Sequence, residues 1–233
     1  MSNFYYDKIG GLRFWSEQEL ERRDSYVNII SGGVSRTLQG MNPAFVMYRV
    51  EGPILTPENF INEEYKDEDI FKTDHKRAGK TLCLRAETTA STYKYAKNTQ
   101  GIKKPFCLWQ VGKSFRTESN DGASPSKLRY NEFNQLEFQI VYAKSTKADY
   151  REKLINFVSE ETAKITGTQT RIVESDRTPS YSDSTLDIEC FYNNSFKEVA
   201  SCSIRHDYDE NSLVCEIAIG LDRVIEISNK EKS

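Results

Sequence analysis

The side chains that could carry out chemistry in this 233-residue chain are limited in type. Only two histidines occur, His75 and His206, so a catalytic triad or a multi-histidine metal centre would have to use one of them. The five cysteines form no C-x2-C pair, and an odd number of cysteines without a secretion signal is typical of reduced, buried thiols. The sequence therefore predicts chemistry based on arginine, glutamate and backbone groups, without structural zinc.

Two short segments have the ending of a phosphate-binding P-loop, Gly112-Lys113-Ser114 and Gly79-Lys80-Thr81. The full motif requires another glycine five residues earlier, and Cys107 and Asp74 occupy those positions. The glycine-rich turn that surrounds a phosphate is therefore missing, and no G-x-G-x-x-G follows a predicted strand. An ATP site in this chain must be of another kind.

The segment from Asn134 to Tyr142 alternates apolar and polar side chains, which is the period of a β-strand. One face would carry Leu136, Phe138, Ile140 and Tyr142, and the other would carry Phe133, Gln135, Glu137 and Gln139. A polar face this regular fits the solvent-exposed side of an antiparallel sheet, and it fits the floor of a polar substrate cleft equally well. The pattern alone leaves both interpretations open.

Two amphipathic helices are predicted to support these segments. Residues 16–39 have apolar positions near helical spacing, and Ser16 with Glu19 forms a capping-box pattern at the start. The pair Gly32-Gly33 is expected to break this helix. Residues 149–166 are also amphipathic, with a glycine directly after them that is typical of a helix C-terminus.

The region between the two helices contains one predicted strand and one predicted loop. Residues 45–50 are β-branched and aromatic, and Gly52-Pro53 stops the run. Residues 62–80 are highly charged, which favours a solvated loop or a small, partly ordered insertion.

Five runs in the second half have the composition of strands: residues 105–111, 134–142, 185–192, 197–204 and 213–219. Short connections between them favour an antiparallel sheet with helices on one face, an α+β fold. No repeat or long linker divides the chain, so we expect residues 1–233 to form a single domain. The net charge is −3, no apolar run approaches the roughly 20 residues of a membrane span, and the N-terminus lacks a signal peptide. We therefore expect a cytoplasmic protein, with neither a membrane nor DNA as a partner.

Five further patterns follow one another between about residues 35 and 228. They are Val50-Glu-Gly-Pro53-Ile-Leu; Leu84-Arg-Ala-Glu87-Thr; Gly112-Lys-Ser-Phe-Arg116-Thr-Glu118 with Leu128-Arg-Tyr-Asn-Glu-Phe133-Asn-Gln-Leu-Glu137; Glu198-Val-Ala-Ser-Cys-Ser-Ile-Arg205 with Asp207-Tyr-Asp209; and Ala218-Ile-Gly220-Leu-Asp-Arg223-Val. In this order they resemble motif 1, an intervening Leu-Arg-Pro-Glu-Thr segment, motif 2, the strand before motif 3, and motif 3 of the class II aminoacyl-tRNA synthetases. The closest resemblance is to the glycyl-tRNA synthetases. One such motif alone is weak, whereas five in the family's order are specific.

The resemblance implies a class II synthetase-like antiparallel sheet flanked by helices, and a cleft that binds ATP. Arg116 would bind the α-phosphate, and Phe133 would stack on adenine. Arg223 would lie on the other adenine face or reach the γ-phosphate, and Glu118 would contact the adenine edge. Arg116 and Arg223 are the expected catalytic residues, since the ionised amino-acid carboxylate attacks the α-phosphorus without needing a base. The expected Mg²⁺ ligands are Glu216 and Glu198.

The same resemblance implies an amino-acid pocket in which Glu87 and Glu137 bind the substrate ammonium group. Ala218 replaces a serine that contacts glycine in the family, and Glu216 is followed by Ile217 instead of proline. Ser201, Cys202 and Ser203 stand where the family has small pocket residues. Glycine is therefore the favoured substrate, with alanine, serine or another small amino acid as alternatives.

The resemblance further implies an acceptor and a two-fold dimer. Lys127, Arg129 and Tyr130 are expected to contact the end of a tRNA, although the motif 2 loop is longer than the glycyl pattern. Ten residues follow Arg223, so we expect this chain to be a catalytic core without the anticodon-binding domain. Transfer of the amino acid to a non-tRNA acceptor and a non-catalytic binding or regulatory subunit are the alternatives. The region of residues 25–55, which includes motif 1, is the expected homodimer interface.

Overall fold

The computed structural model describes residues 11–63, 65–99, 101–118, 122–146 and 148–230. Within these ranges the helices are α1 (Glu17–Met41), α2 (Thr89–Asn98), α3 (Tyr150–Thr166) and α4 (Leu221–Lys230). The strands are β1 (Val46–Arg49), β2 (Leu55–Pro57), β3 (Lys72–Arg77), β4 (Lys80–Leu84), β5 (Phe106–Phe115), β6 (Glu132–Ala143), β7 (Thr170–Glu174), β8 (Ser182–Tyr192), β9 (Ser195–Asp209) and β10 (Ser212–Gly220). The N-terminal segment that lacks a signal-peptide pattern lies outside the described residues.

A seven-stranded sheet in the order β1-β5-β6-β10-β9-β8-β7 forms the centre of the fold. All neighbouring strands are antiparallel except β1, which runs parallel to β5 at the edge of the sheet. The five strand-like runs predicted in the second half of the sequence are confirmed as β5, β6, β8, β9 and β10. The α+β fold with an antiparallel sheet and flanking helices is confirmed as well.

One face of the sheet holds the main hydrophobic core. Leu136, Phe138 and Ile140 of β6 are fully buried there, under α1, α3 and α4. The opposite face carries the alternate, polar residues of the same strands, and α2 covers part of it. No helix in the described part of the chain is long and apolar enough to cross a lipid bilayer.

Helix α1 begins at the predicted position but continues past the predicted break. Ser16 caps it and forms a full capping box with Glu19. The prediction that Gly32-Gly33 ends the helix is wrong, because Gly33 serves packing and not termination. A Cβ atom on Gly33 would lie 1.9 Å from the Phe157 ring of α3, so only glycine allows these helices to approach this closely.

The charged segment 62–80 is only partly a loop. Apart from residue 64, which lies outside the described residues, it contains a short 3-10 turn (Asp67–Asp69), strand β3 and the start of β4. Strands β2, β4 and β3 form a second, three-stranded sheet. The β3–β4 hairpin turns at Ala78 and Gly79, both at positive φ. Its charged side chains point to solvent on most of its surface, which hides the alternation that identifies a strand.

Candidate active site

A cleft lies on the polar face of the central sheet, above β6, β10, β9 and β8. Ten of the twelve predicted site residues line it: Glu87, Arg116, Glu118, Arg129, Tyr130, Phe133, Glu198, Glu216, Ala218 and Arg223. The two predicted site residues that do not line it are Glu137 and Lys127. The polar face of β6 is therefore the floor of a cleft and is not the solvent-exposed side of the sheet, which decides between the two interpretations left open by its sequence.

Arg116 lies at the end of β5 against an aromatic platform. Its Nη2 donates to the Tyr65 hydroxyl at 2.6 Å and its Nε donates to the Ala86 carbonyl at 3.2 Å. The guanidinium carbon is 5.1 Å from the centre of the Phe133 ring. Burial alone would lower the pKa of Arg116. Tyr65, Glu87 and other acidic neighbours together raise it by more, so the net shift is upward. The arrangement presents a fixed positive charge beside a flat ring.

Arg223, in the first turn of α4, is held at the opposite side of the cleft. Its Nε donates to the Leu128 carbonyl at 3.1 Å, and its Nη1 donates to the Glu198 carbonyl at 2.7 Å. The neighbouring Asp222 is buried, and its carboxylate accepts from the Asn134 backbone N–H at 2.5 Å. Because Asn134 follows Phe133, this bond fixes the start of α4 against the strand that carries the aromatic ring.

Glu87 lies just before α2 and is oriented by a segment that joins β4 to that helix. The backbone N–H of Thr88 donates to Gln135 of β6 at 3.1 Å, which ties this segment to the floor of the cleft. The Glu87 carboxylate accepts from the Asn62 amide and from the Tyr65 hydroxyl. Burial and the nearby Glu216 raise the pKa of Glu87.

Glu137 lies behind the cleft wall instead of in it. It is fully buried in register with Ala218 of β10, and neither of its carboxylate oxygens accepts a hydrogen bond of normal geometry from the described residues. Burial raises the pKa of Glu137 to about 8, although the Thr88 and Thr92 hydroxyls lower it. The structure therefore places a buried carboxyl group, without an ion-pair partner among the described residues, next to the predicted amino-acid pocket.

Glu216 is held by three donors. Its Oε2 accepts from Gln139 at 2.7 Å and from Arg205 at 2.9 Å, and its Oε1 accepts from the Tyr181 hydroxyl at 3.1 Å. The Arg205 guanidinium is stacked between two rings, 3.5 Å from the centre of Tyr93 and 3.6 Å from that of Tyr181. This network sets one end of the pocket.

Glu216 and Glu198, predicted together as Mg²⁺ ligands, both line the cleft but lie at separate positions along it. In the β9–β10 register Glu216 pairs with Ser203, five residues from Glu198 on the same strand, which is a separation of about 16 Å along β9. Glu216 accepts three hydrogen bonds, which leaves about one of the roughly four acceptor positions of a carboxylate open. Among the described residues no group of three or more acidic, histidine or cysteine side chains is arranged to hold a metal ion.

Two further predictions need correction. Tyr130 was expected to present its ring to an acceptor, but the residue is only 3% exposed and its ring is enclosed. Cys202 was expected to line the pocket, but it points into the core, with its Sγ 3.6 Å from that of Cys215, because alternate residues of β9 face opposite sides. Its neighbours Ser201 and Ser203 line the cleft as predicted.

Four residues that shape the site were missed by the sequence interpretation: Asn62, Tyr65, Tyr181 and Arg205. The first two lie in the charged segment interpreted as a loop, and Tyr181 directly precedes β8. Arg205 gave a usable signal, because a charged residue directly after the predicted strand 197–204, with Asp207 two residues later, is placed to form an ion pair.

Sequence comparison identifies the family. Residues 71–227 match the model of the tRNA synthetase class II core domain (G, H, P, S and T). The chain belongs to this family of class II tRNA synthetase core domains, as the sheet and the cleft already indicated.

Individual relatives are more distant. A glycine–tRNA ligase of Macrococcus caseolyticus is 32% identical over 135 residues, which is 55% of this chain and 29% of that protein. A histidine–tRNA ligase of Neorickettsia sennetsu is 28% identical over 117 residues, 48% of this chain and 27% of that protein. The alignments thus span less than a third of these relatives.

The fold comparison agrees. The crystal structure of prolyl-tRNA synthetase from Cryptosporidium parvum, complexed with halofuginone and AMPPNP, superposes with a TM-score of 0.71 at 12% identity. The superposition covers 96% of this chain and 48% of the prolyl enzyme. At this identity the comparison shows a shared fold.

Proposed function

We propose that the cleft activates a small amino acid, with glycine favoured, by forming an aminoacyl-adenylate from ATP, and that the amino acid is then transferred to tRNA. The observation that carries this proposal is the placement of the Arg116–Phe133 platform and the carboxylates Glu87 and Glu216 around one cleft. The Arg116–Phe133 platform suits a nucleotide, and the two carboxylates suit the ammonium group of an amino acid. The AMPPNP bound to the prolyl-tRNA synthetase of the same fold supports the nucleotide assignment.

The nucleotide half of the cleft supplies positive charge where the reaction develops negative charge. The amino-acid carboxylate attacks the α-phosphorus, and pyrophosphate leaves without requiring a proton. Arg116 stabilises the α-phosphate oxygens in this transition state, since a preorganised guanidinium suits phosphate geometry. Phe133 stacks on the adenine, Glu118 contacts the adenine edge, and Arg223 binds the opposite face or the γ-phosphate. Mg²⁺ bound with ATP would neutralise charge on the phosphates, and Glu216 and Glu198 remain its predicted protein ligands.

The amino-acid half is anionic and small. Glu87 and Glu216 face the cleft, and Glu137 adds a third, buried carboxyl group on β6 beside Ala218 of β10. Burial, and after it the nearby Glu216, raise the pKa of both Glu87 and Glu137, and an ammonium group placed among these carboxyl groups favours their ionised forms. Ala218, Ser201 and Ser203 line this end of the cleft, which leaves room for a small side chain and favours glycine, alanine or serine.

A second candidate function is transfer of the activated amino acid to a non-tRNA acceptor. Two of the three residues expected to contact the tRNA end favour it, because they are not presented to an acceptor. Tyr130 is enclosed, and Arg129 is paired with Glu118 at 3.3 Å. Lys127, the third expected contact, is exposed. The activation step is common to both candidates, and we place both in the cytoplasm.

Transfer of labelled glycine to RNA separates these candidates. With ATP and Mg²⁺, we expect base-labile glycine on the 3′ end of both an intact glycine tRNA and a minihelix without the anticodon, at comparable rates. The reason is that the described cleft can contact only the acceptor end of the RNA. Adenylate formation without labelling of either RNA would contradict transfer to tRNA and support the non-tRNA acceptor.

A homodimer through the β1 edge is part of the proposal. Val46 and Tyr48 of β1 are 46% and 41% exposed, and Leu55 of β2 is 50% exposed, so this edge leaves apolar surface and unpaired backbone groups uncovered. Light scattering at micromolar concentration should give twice the chain mass of 26.9 kDa. A monomer at that concentration would contradict the interface.

A further inference from the structure

Positive charge is concentrated in one segment of an otherwise acidic chain. Residues 72–104 contain nine lysines and arginines but only two acidic residues, a net charge of +7, whereas the whole chain has a net charge of −3. The rest of the chain therefore carries −10. The overall balance conceals this segregation, which is a feature of surfaces that bind polyanions.

The structure brings much of this charge together on one surface, here called the basic patch: Lys76, Arg77, Lys80, Lys94 and Lys97. The first three occupy the exposed β3–β4 hairpin, and none of them has an ion-pair partner among the described residues. The other two lie on α2. Lys94 donates to Asn59 in the 3-10 turn Glu58–Phe60, and this turn packs against β4, so α2 and the hairpin are close neighbours.

The helix lysines are held in place without losing their charge. The Lys94 ammonium group donates to the Asn59 carbonyl at 3.2 Å, and that of Lys97 donates to the Asp207 carbonyl at 2.6 Å. Both acceptors are backbone groups, so neither bond is an ion pair. Lys94 and Lys97 are three residues apart, so both project from one face of α2.

The basic patch adjoins the candidate active site. Lys94 and Lys97 line a second cavity, and two tyrosines, Tyr65 and Tyr181, line both this cavity and the cleft. A chain that binds across the patch would therefore have its end close to the wall of the amino-acid pocket.

We propose that the basic patch binds the phosphate backbone of an RNA stem. Cations that have no ion-pair partner among the described residues, on two adjacent elements, match a line of phosphates. This assignment deepens the proposed function, on which the choice of RNA rests, and it moves the main RNA contact away from the motif 2 loop. An acidic protein is the alternative polyanion, and the test separates the two.

The test is fluorescence anisotropy with a labelled RNA hairpin of about twelve base pairs, without ATP or amino acid, at salt concentrations from about 50 to 300 mM. The variants are K76Q/R77Q/K80Q on the hairpin and K94Q/K97Q on α2. The matched control is K144Q/K153Q/K164Q, which removes three exposed lysines near α3 on the opposite face of the sheet. Thermal melting establishes that each variant is folded.

We expect the hairpin variant to bind at least tenfold more weakly than wild type, with a logarithmic salt slope reduced by about 2 to 3, because each lost phosphate contact removes close to one released counterion. The α2 variant should also bind more weakly, and the control should bind like wild type. Equal losses in the control and the hairpin variant, wild-type binding by both patch variants, or no RNA binding at 50 mM salt would overturn the proposal. Equally tight binding of polyglutamate would assign the patch to acidic proteins. Because RNA binding is measured without the reaction, its failure is distinct from failure of amino-acid activation.

Discussion

Replacement of Arg116 by alanine is expected to lower the rate of adenylate formation by ~100-fold or more, judged from comparable losses of preorganised electrostatic contacts. Arg116 is fixed by Tyr65 and Ala86, and it lies over the Phe133 ring. Its charge therefore needs no reorganisation when the α-phosphate becomes more negative. The measurement is the rate of amino-acid-dependent pyrophosphate exchange at saturating ATP and amino acid.

Two further variants make this result interpretable. R116K retains the charge but loses the planar, two-pronged donor geometry, so its rate should lie between those of wild type and R116A. R171A removes an exposed arginine that pairs with Glu189 at the far edge of the sheet, and it should exchange like wild type. A rate for R116A within a few-fold of wild type would show that Arg116 does not act on the α-phosphate.

Glu137→Gln is expected to weaken binding of the amino acid while it stabilises the ligand-free protein. Loss of the third carboxyl group should raise the KM for the amino acid at least tenfold and change the KM for ATP little, since a charge-assisted contact to a buried partner is typically worth that much. Glutamine has nearly the same shape as glutamate, so the substitution removes the titration and leaves the packing intact.

The pH dependence gives this prediction its sign. Burial raises the pKa of Glu137 from 4.5 to about 8, so the folded protein keeps a proton that the unfolded chain releases near pH 4.5. The contribution of protonated Glu137 to the free energy of unfolding is therefore fully present below pH 4.5 and is lost as the pH rises to 8. Relative to wild type, E137Q should gain on the order of 4 kcal/mol in free energy of unfolding by pH 8 and less than about 1 kcal/mol at pH 5.

Binding of the amino acid should show the complementary trend. The affinity of wild type should increase between about pH 6.5 and 8.5, as Glu137 loses its proton and becomes able to pair with the ammonium group. E137Q should lack that increase, and Glu174→Gln, an exposed substitution on β7, should retain it. Identical pH profiles for wild type and E137Q would show that Glu137 has no part in the pocket.

The sequence predicted the central strands and most of the cleft because both depend on local patterns. Alternation along β6 separates Phe138 from Glu137 without any knowledge of the neighbouring strands. The capping box of α1 is likewise local. The continuation of α1 past Gly33 depends on Phe157, more than a hundred residues away, so no local pattern could have predicted it.

The missed parts of the site depend on tertiary contacts. Tyr65 contributes because segment 62–80 folds back over Glu87 and Arg116, and a charged sequence gives no sign of that path. The sequence likewise carries no sign that the strand register separates Glu198 from Glu216, or that Glu216 pairs with Arg205. Residue types in a family order predict which groups enter a cleft, whereas register and packing decide which of them meet.

The central claim is that this cleft activates a small amino acid, and exchange of labelled pyrophosphate into ATP tests it most directly. Wild-type protein, shown to be folded by thermal melting, is assayed with Mg²⁺ and each proteinogenic amino acid in turn. We predict exchange that depends on the amino acid and is fastest with glycine, with slower exchange for alanine or serine. Absence of exchange with every amino acid, or fastest exchange with a large side chain such as phenylalanine, would contradict the account.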